Sequence, residues 1–144
     1  NIGQVLWRET GEPGYAEFVR RLVFSALIGN ADMHLKNWSL IYRDGRTPSL
    51  APAYDFVSTL AYLPDDSAAL KVARSKAWTD FGEDELAALA DGSGAPQRLT
   101  RKIARETVAA FRQTWAGRQS DLPISEDVRA AVLGQLDRVP IART

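Results

Sequence analysis

An apolar stripe between residues 15 and 27 is the feature that most constrains how this chain folds. Its members recur at intervals of three and four residues: Tyr15, Phe18, Val19, Leu22, Val23, Ala26 and Leu27. That spacing puts all of them on one face of an α-helix. Gly29 follows closely and is typical of a helix end. The sequence therefore predicts a buried helix whose carboxyl end holds the segment that begins at Gly29.

A short β-hairpin is predicted after this segment. Residues 38–43 (WSLIYR) favour a strand, Asp44-Gly45 is typical of a two-residue hairpin turn, and residues 46–51 form the returning strand. In the register that such a turn imposes, Asn37 lies opposite Pro52, and Asp55 follows shortly after that partner. We therefore expect Asn37 and Asp55 to lie near each other at the open end of the hairpin.

The rest of the sequence favours helices, with two exceptions. Residues 1–13 show little periodicity before a turn signal, GEPG, and residues 70–74 favour a further strand. Residues 80–83 (DFGE) resemble a capping box that opens a helix ending near Ala90. Two more helices are predicted, over about residues 96–117 and from Ser125 to Pro140. Their inward positions are Leu99, Ile103, Val108, Phe111 and Trp115, then Val128, Val132, Leu136 and Val139. The predicted fold class is mainly α with a small β-hairpin, as a single domain over residues 1–144.

The composition argues against several kinds of function. Lysine and arginine total 18, as do aspartate and glutamate, so no overall field attracts nucleic acid or an anionic membrane. There is no cysteine and one histidine, which argues against a nitrogen- or sulfur-ligated metal but leaves an oxygen-ligated Mg²⁺ site open. No apolar run approaches the ~20 residues of a membrane span, and no signal-peptide pattern is present. Because the sequence starts at Asn1 and not at methionine, we expect a piece of a longer protein.

The polar segment GNADMHLKNWS, residues 29–39, follows the first helix directly. Asp32 and Asn37 have the spacing of Asp and Asn in the protein-kinase catalytic loop H-R-D-x-x-x-x-N. In that loop the Asp accepts the proton of the attacking hydroxyl and the Asn binds magnesium. A second acidic metal ligand must follow downstream, and Asp55 in AYDF is the candidate.

Each of these residues also has a structural interpretation. Asn and Asp after a helix are commonly capping or turn residues. Lys36 is either a phosphate contact or a solvated cation. His34 is either a base or a structural residue that pairs with Asp32 or Asp55 and fixes the loop. Spacing alone does not decide between these interpretations.

Residues 22–42 (LVFSALIGNADMHLKNWSLIY) and 50–59 (LAPAYDFVST) together resemble the C-terminal lobe of HipA-like serine/threonine kinases, the toxin kinases of bacterial toxin–antitoxin pairs. The family pattern N-x-D-x-H-x-K-N is met by Asn30, Asp32, His34, Lys36 and Asn37, and the later P-x-Y-D element by Pro52, Tyr54 and Asp55. The resemblance is dense over residues 18–62 and looser to the carboxyl terminus.

The resemblance implies Asp32 as catalytic base, with Asn37 and Asp55 as ligands of Mg²⁺ and ATP as co-substrate. It implies loop-ordering or phosphate contacts for Asn30, Lys36 and His34, the last chiefly as a structural prop of the loop. It also implies a cytoplasmic protein-serine/threonine kinase with a helix-turn-helix antitoxin as a candidate partner. We expect Asp32, Asn37 and Asp55 to line one groove.

No Gly-rich phosphate loop and no strand lysine placed to grip ATP phosphates precede Gly29. In a kinase these parts lie in an N-terminal lobe, so we expect that lobe to be missing from this chain. The chain alone is then predicted to fold but to be inactive.

Two other functions compete with the kinase hypothesis. One is a catalytically idle helical module that binds a DNA-binding, antitoxin-like partner, but such a module needs none of Asp32, Asn37 and Asp55. The other is nucleic-acid binding, through Arg98, Arg101, Lys102, Arg105 and Arg112. A solvated helix face explains those cations equally well, and the net charge of zero gives no support, so we expect no direct nucleic-acid binding.

Overall fold

The computed structural model describes residues 2–63 and 67–144, and it confirms a mainly helical fold with a small hairpin. The helices in this part of the chain are α1 (Ile2–Ile28), α2 (Glu83–Ser93), α3 (Gln97–Arg118) and α4 (Glu126–Arg138). The strands are β1 (Leu40–Tyr42) and β2 (Pro48–Leu50). Short 3₁₀ turns lie at Leu35–Asn37, Thr59–Ala61, Trp78–Asp80 and Pro140–Arg143. No helix in the described ranges is long and apolar enough to cross a membrane.

Helix α1 carries the predicted stripe, and all seven of its members are buried. It starts much earlier than predicted, because residues 2–10 are helical as well. The turn signal corresponds to a kink inside α1, where Gly11 has φ 65° and ψ −161° and Pro13 follows. The segment before the kink packs through Leu6, which is 3% exposed, and through Trp7, whose ring meets Tyr15 edge-on at 5.4 Å.

The carboxyl end of α1 requires glycine for two reasons. Gly29 has φ 68°, a left-handed conformation that L side chains rarely adopt. A Cβ atom at this position would also lie 2.5 Å from Leu60 Cδ1. The chain therefore turns sharply here and delivers the polar segment against the residues around Leu60.

The hairpin register differs by one residue from the prediction. Leu40 pairs with Leu50 and Tyr42 with Pro48, so the connection runs from residue 43 to residue 47 and is longer than the predicted two-residue turn. The Asp44 carboxylate accepts hydrogen bonds from the N–H groups of Arg46 (2.9 Å) and Thr47 (2.7 Å) and from the Thr47 hydroxyl (2.6 Å). The donors of Thr47, together with the Arg46 N–H, lower the pKa of Asp44 to about 2. The N–H groups of Arg46 and Thr47 therefore bond to the Asp44 side chain and not to the opposite strand, which makes the turn longer.

Two local predictions around α2 are wrong. Residues 70–74 form bends and not a strand, because the N–H groups of Ala73, Arg74 and Ser75 all donate to Glu85 on α2. No capping box forms either, since Gly82 is the N-cap residue and no side chain bonds to it. α2 also runs past Ala90 to Ser93, where Gly94 closes it at φ 72°.

The two last helices agree with prediction to within about two residues at each end. Ile103 and Val108 of α3 are buried, Leu99 and Phe111 pack against the core, and Trp115 is half-buried. The Ser125 hydroxyl caps α4 by accepting from the Val128 N–H at 3.3 Å. Val132 and Val139 are buried as predicted, whereas Val128 and Leu136 are half-buried.

Gln135, which was not predicted to be inward, is buried. Its side-chain amide donates to the carbonyl of Ala26 at 2.8 Å. This bond ties α4 to the last turn of α1, next to the polar segment.

Candidate active site

The polar loop after α1 is fastened to the 3₁₀ turn Thr59–Ala61. The Thr59 hydroxyl donates to the Gly29 carbonyl at 3.1 Å and accepts from the Ala31 N–H at 2.7 Å. The Leu60 N–H donates to the same Gly29 carbonyl at 3.3 Å. These hydrogen bonds hold residues 29–31, at the end of the buried helix α1, against residues 59 and 60, which lie far along the chain.

Asn37 and Asp55 meet between these segments. The Asn37 Nδ2 donates to Asp55 Oδ2 at 3.0 Å, and the Asn30 Nδ2 donates to the Asp55 backbone carbonyl at 3.3 Å. The Tyr54 hydroxyl donates to the Lys36 carbonyl at 2.7 Å. The predicted proximity of Asn37 and Asp55 is confirmed. The proximity does not depend on the exact register of the hairpin, because a shift of one residue still leaves Asp55 close to the position opposite Asn37.

Asp55 has an unusual backbone. Its φ is 61°, and it is the non-glycine residue with positive φ in the described part of the chain. Aspartate tolerates this left-handed conformation better than most residues, yet still at a cost relative to glycine. Strained backbone of this kind collects at functional sites, where the surrounding contacts enforce it. Here the bond from Asn30 to the Asp55 carbonyl supplies one such contact.

The donor set at this point fits a hard cation. The Asn37 Oδ1 is buried and has no hydrogen-bond partner, while its Nδ2 faces Asp55. Rotating the amide by half a turn exchanges the two atoms and brings an oxygen to about the same 3.0 Å from Asp55 Oδ2. In a magnesium octahedron with bonds of about 2.1 Å, neighbouring ligands lie about 3.0 Å apart. Within the described ranges no cluster of three His, Cys, Asp or Glu side chains is arranged for a metal. A magnesium ion bound here would take two ligands from these residues and the others from water or substrate oxygens.

Asp32 contacts His34. Its Oδ1 is 2.8 Å from His34 Nε2, and both side chains are 51% exposed. Asp32 and His34 line a depression of about 400 Å³ with Thr59 and Lys76, whereas Asn37 and Asp55 line a different one beside Arg21. That all three residues line one groove stays a prediction. The buried Met33 lies between Asp32 and His34 in sequence, and their contact orients the Asp32 carboxylate.

The remaining predicted residues have distinct surroundings. Asn30 is 2% exposed and contacts the Asp55 backbone, which is a loop-ordering contact. The Lys36 side chain is exposed and takes part in no ion pair within the described residues. Sequence reasoning missed Thr59, which makes two bonds to the loop, and no pattern in the sequence pointed to it. The sequence motif includes Tyr54 without assigning it a contact, and in the structure its hydroxyl donates to the Lys36 carbonyl and lies 3.1 Å from Ser39 Oγ.

Residues 2–115 match the family model described as the HipA-like C-terminal domain. The chain belongs to this family. A protein of Sinorhizobium fredii named "Putative kinase Y4dM" is 52% identical over 128 residues, which are 88% of this chain and 31% of that protein. A protein of Haemophilus influenzae named "Putative kinase" is 50% identical over 46 residues, covering 32% of this chain and 13% of that protein. The chain thus spans about a third or less of the length of these relatives.

A solved structure has the same fold. It is the HipA, HipB and operator DNA complex of a toxin–antitoxin system from Shewanella oneidensis, which matches with a TM-score of 0.68 and 25% sequence identity. The match covers 89% of this chain and 30% of that chain. Most of the chain therefore shares its fold with part of that structure.

Proposed function

We propose that this chain carries the catalytic loop and the metal ligands of an ATP-dependent protein kinase that phosphorylates a serine or threonine hydroxyl. The observation that carries the proposal is the Asn37–Asp55 pair, joined at 3.0 Å with an unpartnered buried oxygen on Asn37. A purely structural pair has no need of a spare oxygen, and a buried polar atom without a partner calls for an explanation. Membership of the HipA-like C-terminal domain family and the kinase names of the relatives support the same proposal.

In this proposal each side chain has a distinct role. Asp32 accepts the proton of the attacking hydroxyl, because its carboxylate is half-exposed and open to a substrate. His34 orients that carboxylate through the 2.8 Å contact. Asn37 and Asp55 hold Mg²⁺, which when bound neutralises charge on the nucleotide phosphates.

Catalysis by a kinase rests mainly on positioning and on charge neutralisation at the phosphates. We propose that the groups which grip ATP lie outside these 144 residues, so that this chain by itself transfers no phosphate. The complex of HipA with HipB and operator DNA supports a DNA-binding antitoxin as the partner of the whole protein. That protein is also proposed to be cytoplasmic.

Phosphate transfer by the full-length protein tests the proposal. Asp32→Asn keeps the shape of the side chain but removes the base, so transfer of radiolabelled phosphate from ATP to protein should fall by a factor of about 10²–10⁴. Asp137→Asn, a matched change on the exposed face of α4, should leave the rate unchanged. Transfer by Asp32→Asn at the unmodified rate would remove Asp32 from the catalytic role.

A further inference from the structure

Tyr54, the residue before Asp55, carries a hydroxyl that bridges two segments of the candidate site. The hydroxyl donates to the Lys36 carbonyl at 2.7 Å and lies 3.1 Å from Ser39 Oγ. A phenol has one proton, so with that proton on the Lys36 carbonyl the Ser39 hydroxyl is the donor of the second bond. The Tyr54 side chain is far from buried, at 44% exposed, so it adds little to the core. Its hydroxyl is therefore the part of the side chain that joins other residues.

The backbone of the hairpin does not make this connection. The Ala51 N–H donates to the Ser39 carbonyl at 2.8 Å, but the next residue, Pro52, has no N–H group with which to continue the pairing. In the described part of the chain, no backbone-to-backbone hydrogen bond joins residues 36–38 to residues 52–55. Side-chain bonds therefore hold these two segments together.

The bonds of Tyr54 become more important when a metal ion binds. In the structure Asn37 Nδ2 donates to Asp55 Oδ2, which joins the two candidate ligands directly. When Asn37 presents its oxygen to a cation, that direct bond is lost. The bonds of the Tyr54 hydroxyl then remain between the two segments that carry the ligands. Because the Lys36 carbonyl belongs to the planar peptide unit that leads into Asn37, holding this carbonyl also holds the backbone of the ligand.

We propose that Tyr54 is a positioning residue for the metal site, whose hydroxyl keeps Asn37 and Asp55 at the separation that one Mg²⁺ ion requires. The proposal rests on the proposed function, in which these two residues are the metal ligands. Mg²⁺ demands near-octahedral geometry with bonds of about 2.1 Å, so a small displacement of one ligand weakens binding. Groups that orient metal ligands from behind commonly contribute about 10- to 100-fold to metal affinity.

Manganese titration of the isotope-labelled chain, followed by NMR, measures this contribution. Tyr54→Phe removes only the hydroxyl, so the manganese concentration that half-broadens the Asn37 side-chain amide signals should rise about tenfold. Ser39→Ala should raise this concentration less, because the bond to Lys36 remains. Tyr42→Phe, which removes the hydroxyl of an exposed tyrosine on β1, is the matched control and should leave it unchanged.

Urea denaturation separates positioning from a purely structural role. The midpoint for Tyr54→Phe should stay close to that of the unmodified chain, since both bonds lie in exposed surroundings. Half-broadening at the same manganese concentration in Tyr54→Phe and in the unmodified chain overturns the proposal, and a lowered urea midpoint in that case assigns the bonds to folding alone. Failure of the unmodified chain to show selective broadening at Asn37 would instead contradict the metal assignment itself, and this proposal with it.

Discussion

Two carboxylates, Glu85 and Asp55, each accept hydrogen bonds from a loop, but they differ in burial and in the number of donors. Glu85 is 3% exposed and accepts from the N–H groups of Ala73, Arg74 and Ser75 and from the Arg74 guanidinium at 3.1 Å. The exposed Asp55 accepts one side-chain bond, from Asn37, and sits in a left-handed backbone.

The difference is that between a carboxylate saturated by its own loop and one that is open to solvent. Oε1 of the buried Glu85 accepts three hydrogen bonds and Oε2 accepts one, so four donors of its own loop already surround this carboxylate. Asp55 keeps free acceptor capacity, faces solvent and contacts Asn37, whose Oδ1 has no partner. We infer that the contacts of Glu85 stabilise the fold, while those of Asp55 hold a ligand-binding geometry at some cost in stability.

The largest expected effect is on Glu85. Glu85→Ala removes the acceptor of three buried backbone donors, so the free energy of unfolding should fall by about 3 kcal/mol. Urea denaturation followed by circular dichroism measures the change. Asp80→Ala, which removes a carboxylate that accepts a single bond from Ser75, is the matched control and should lose under about 1 kcal/mol. Equal losses in the two variants would contradict a special structural role for Glu85.

The pH dependence of stability should follow Glu85. Burial raises the pKa of its carboxyl, but the N–H donors of Arg74, Ser75 and Ala73 and the Arg74 side chain outweigh burial, so the pKa lies below its ordinary value. A lowered folded-state pKa means that the contribution is fully present above the unfolded-state pKa and is lost as pH falls through the folded-state pKa. Thermal unfolding of Glu85→Gln between about pH 6 and pH 3 should show a shallower loss than the unmodified chain. Parallel curves would count against this assignment.

A smaller effect of opposite sign is expected at Asp55. Asp55→Gly relieves the left-handed backbone and should raise the free energy of unfolding by up to about 1 kcal/mol. Asp55→Ala keeps a Cβ and should be no more stable than the unmodified chain. The two variants lose the same carboxylate, so their difference in urea denaturation isolates the backbone term. A glycine variant less stable than the alanine variant would show that the positive φ stores no strain.

The structural features that the sequence predicted correctly follow from helical periodicity and from the direction of the chain in the hairpin. The stripe of α1 and the inward positions of α3 follow from the helical repeat, which needs no knowledge of partners. The meeting of Asn37 and Asp55 follows from the antiparallel return of the chain, and it tolerates the register error.

Two features that the sequence did not predict arise where a side chain accepts hydrogen bonds from backbone N–H groups. Asp44 lengthens the hairpin turn, and Glu85 takes the N–H groups that a strand at residues 70–74 would have used. The helix before Gly11 was missed because the GEPG signal marks a kink between helical segments as well as a start. The left-handed backbone of Asp55 was not predictable, since the usual signal for it is glycine.

Manganese, a paramagnetic substitute for magnesium, tests the central claim most directly. Titrated into the isotope-labelled chain at millimolar concentration, it should broaden the NMR signals of the Asn37 side-chain amide before those of any other side-chain amide. Asp55→Asn should abolish this selectivity, while Asp137→Asn should keep it. Broadening that begins instead at the acidic first turn of α2, with Asn37 unaffected, would contradict the assignment of Asn37 and Asp55 as a metal-binding pair.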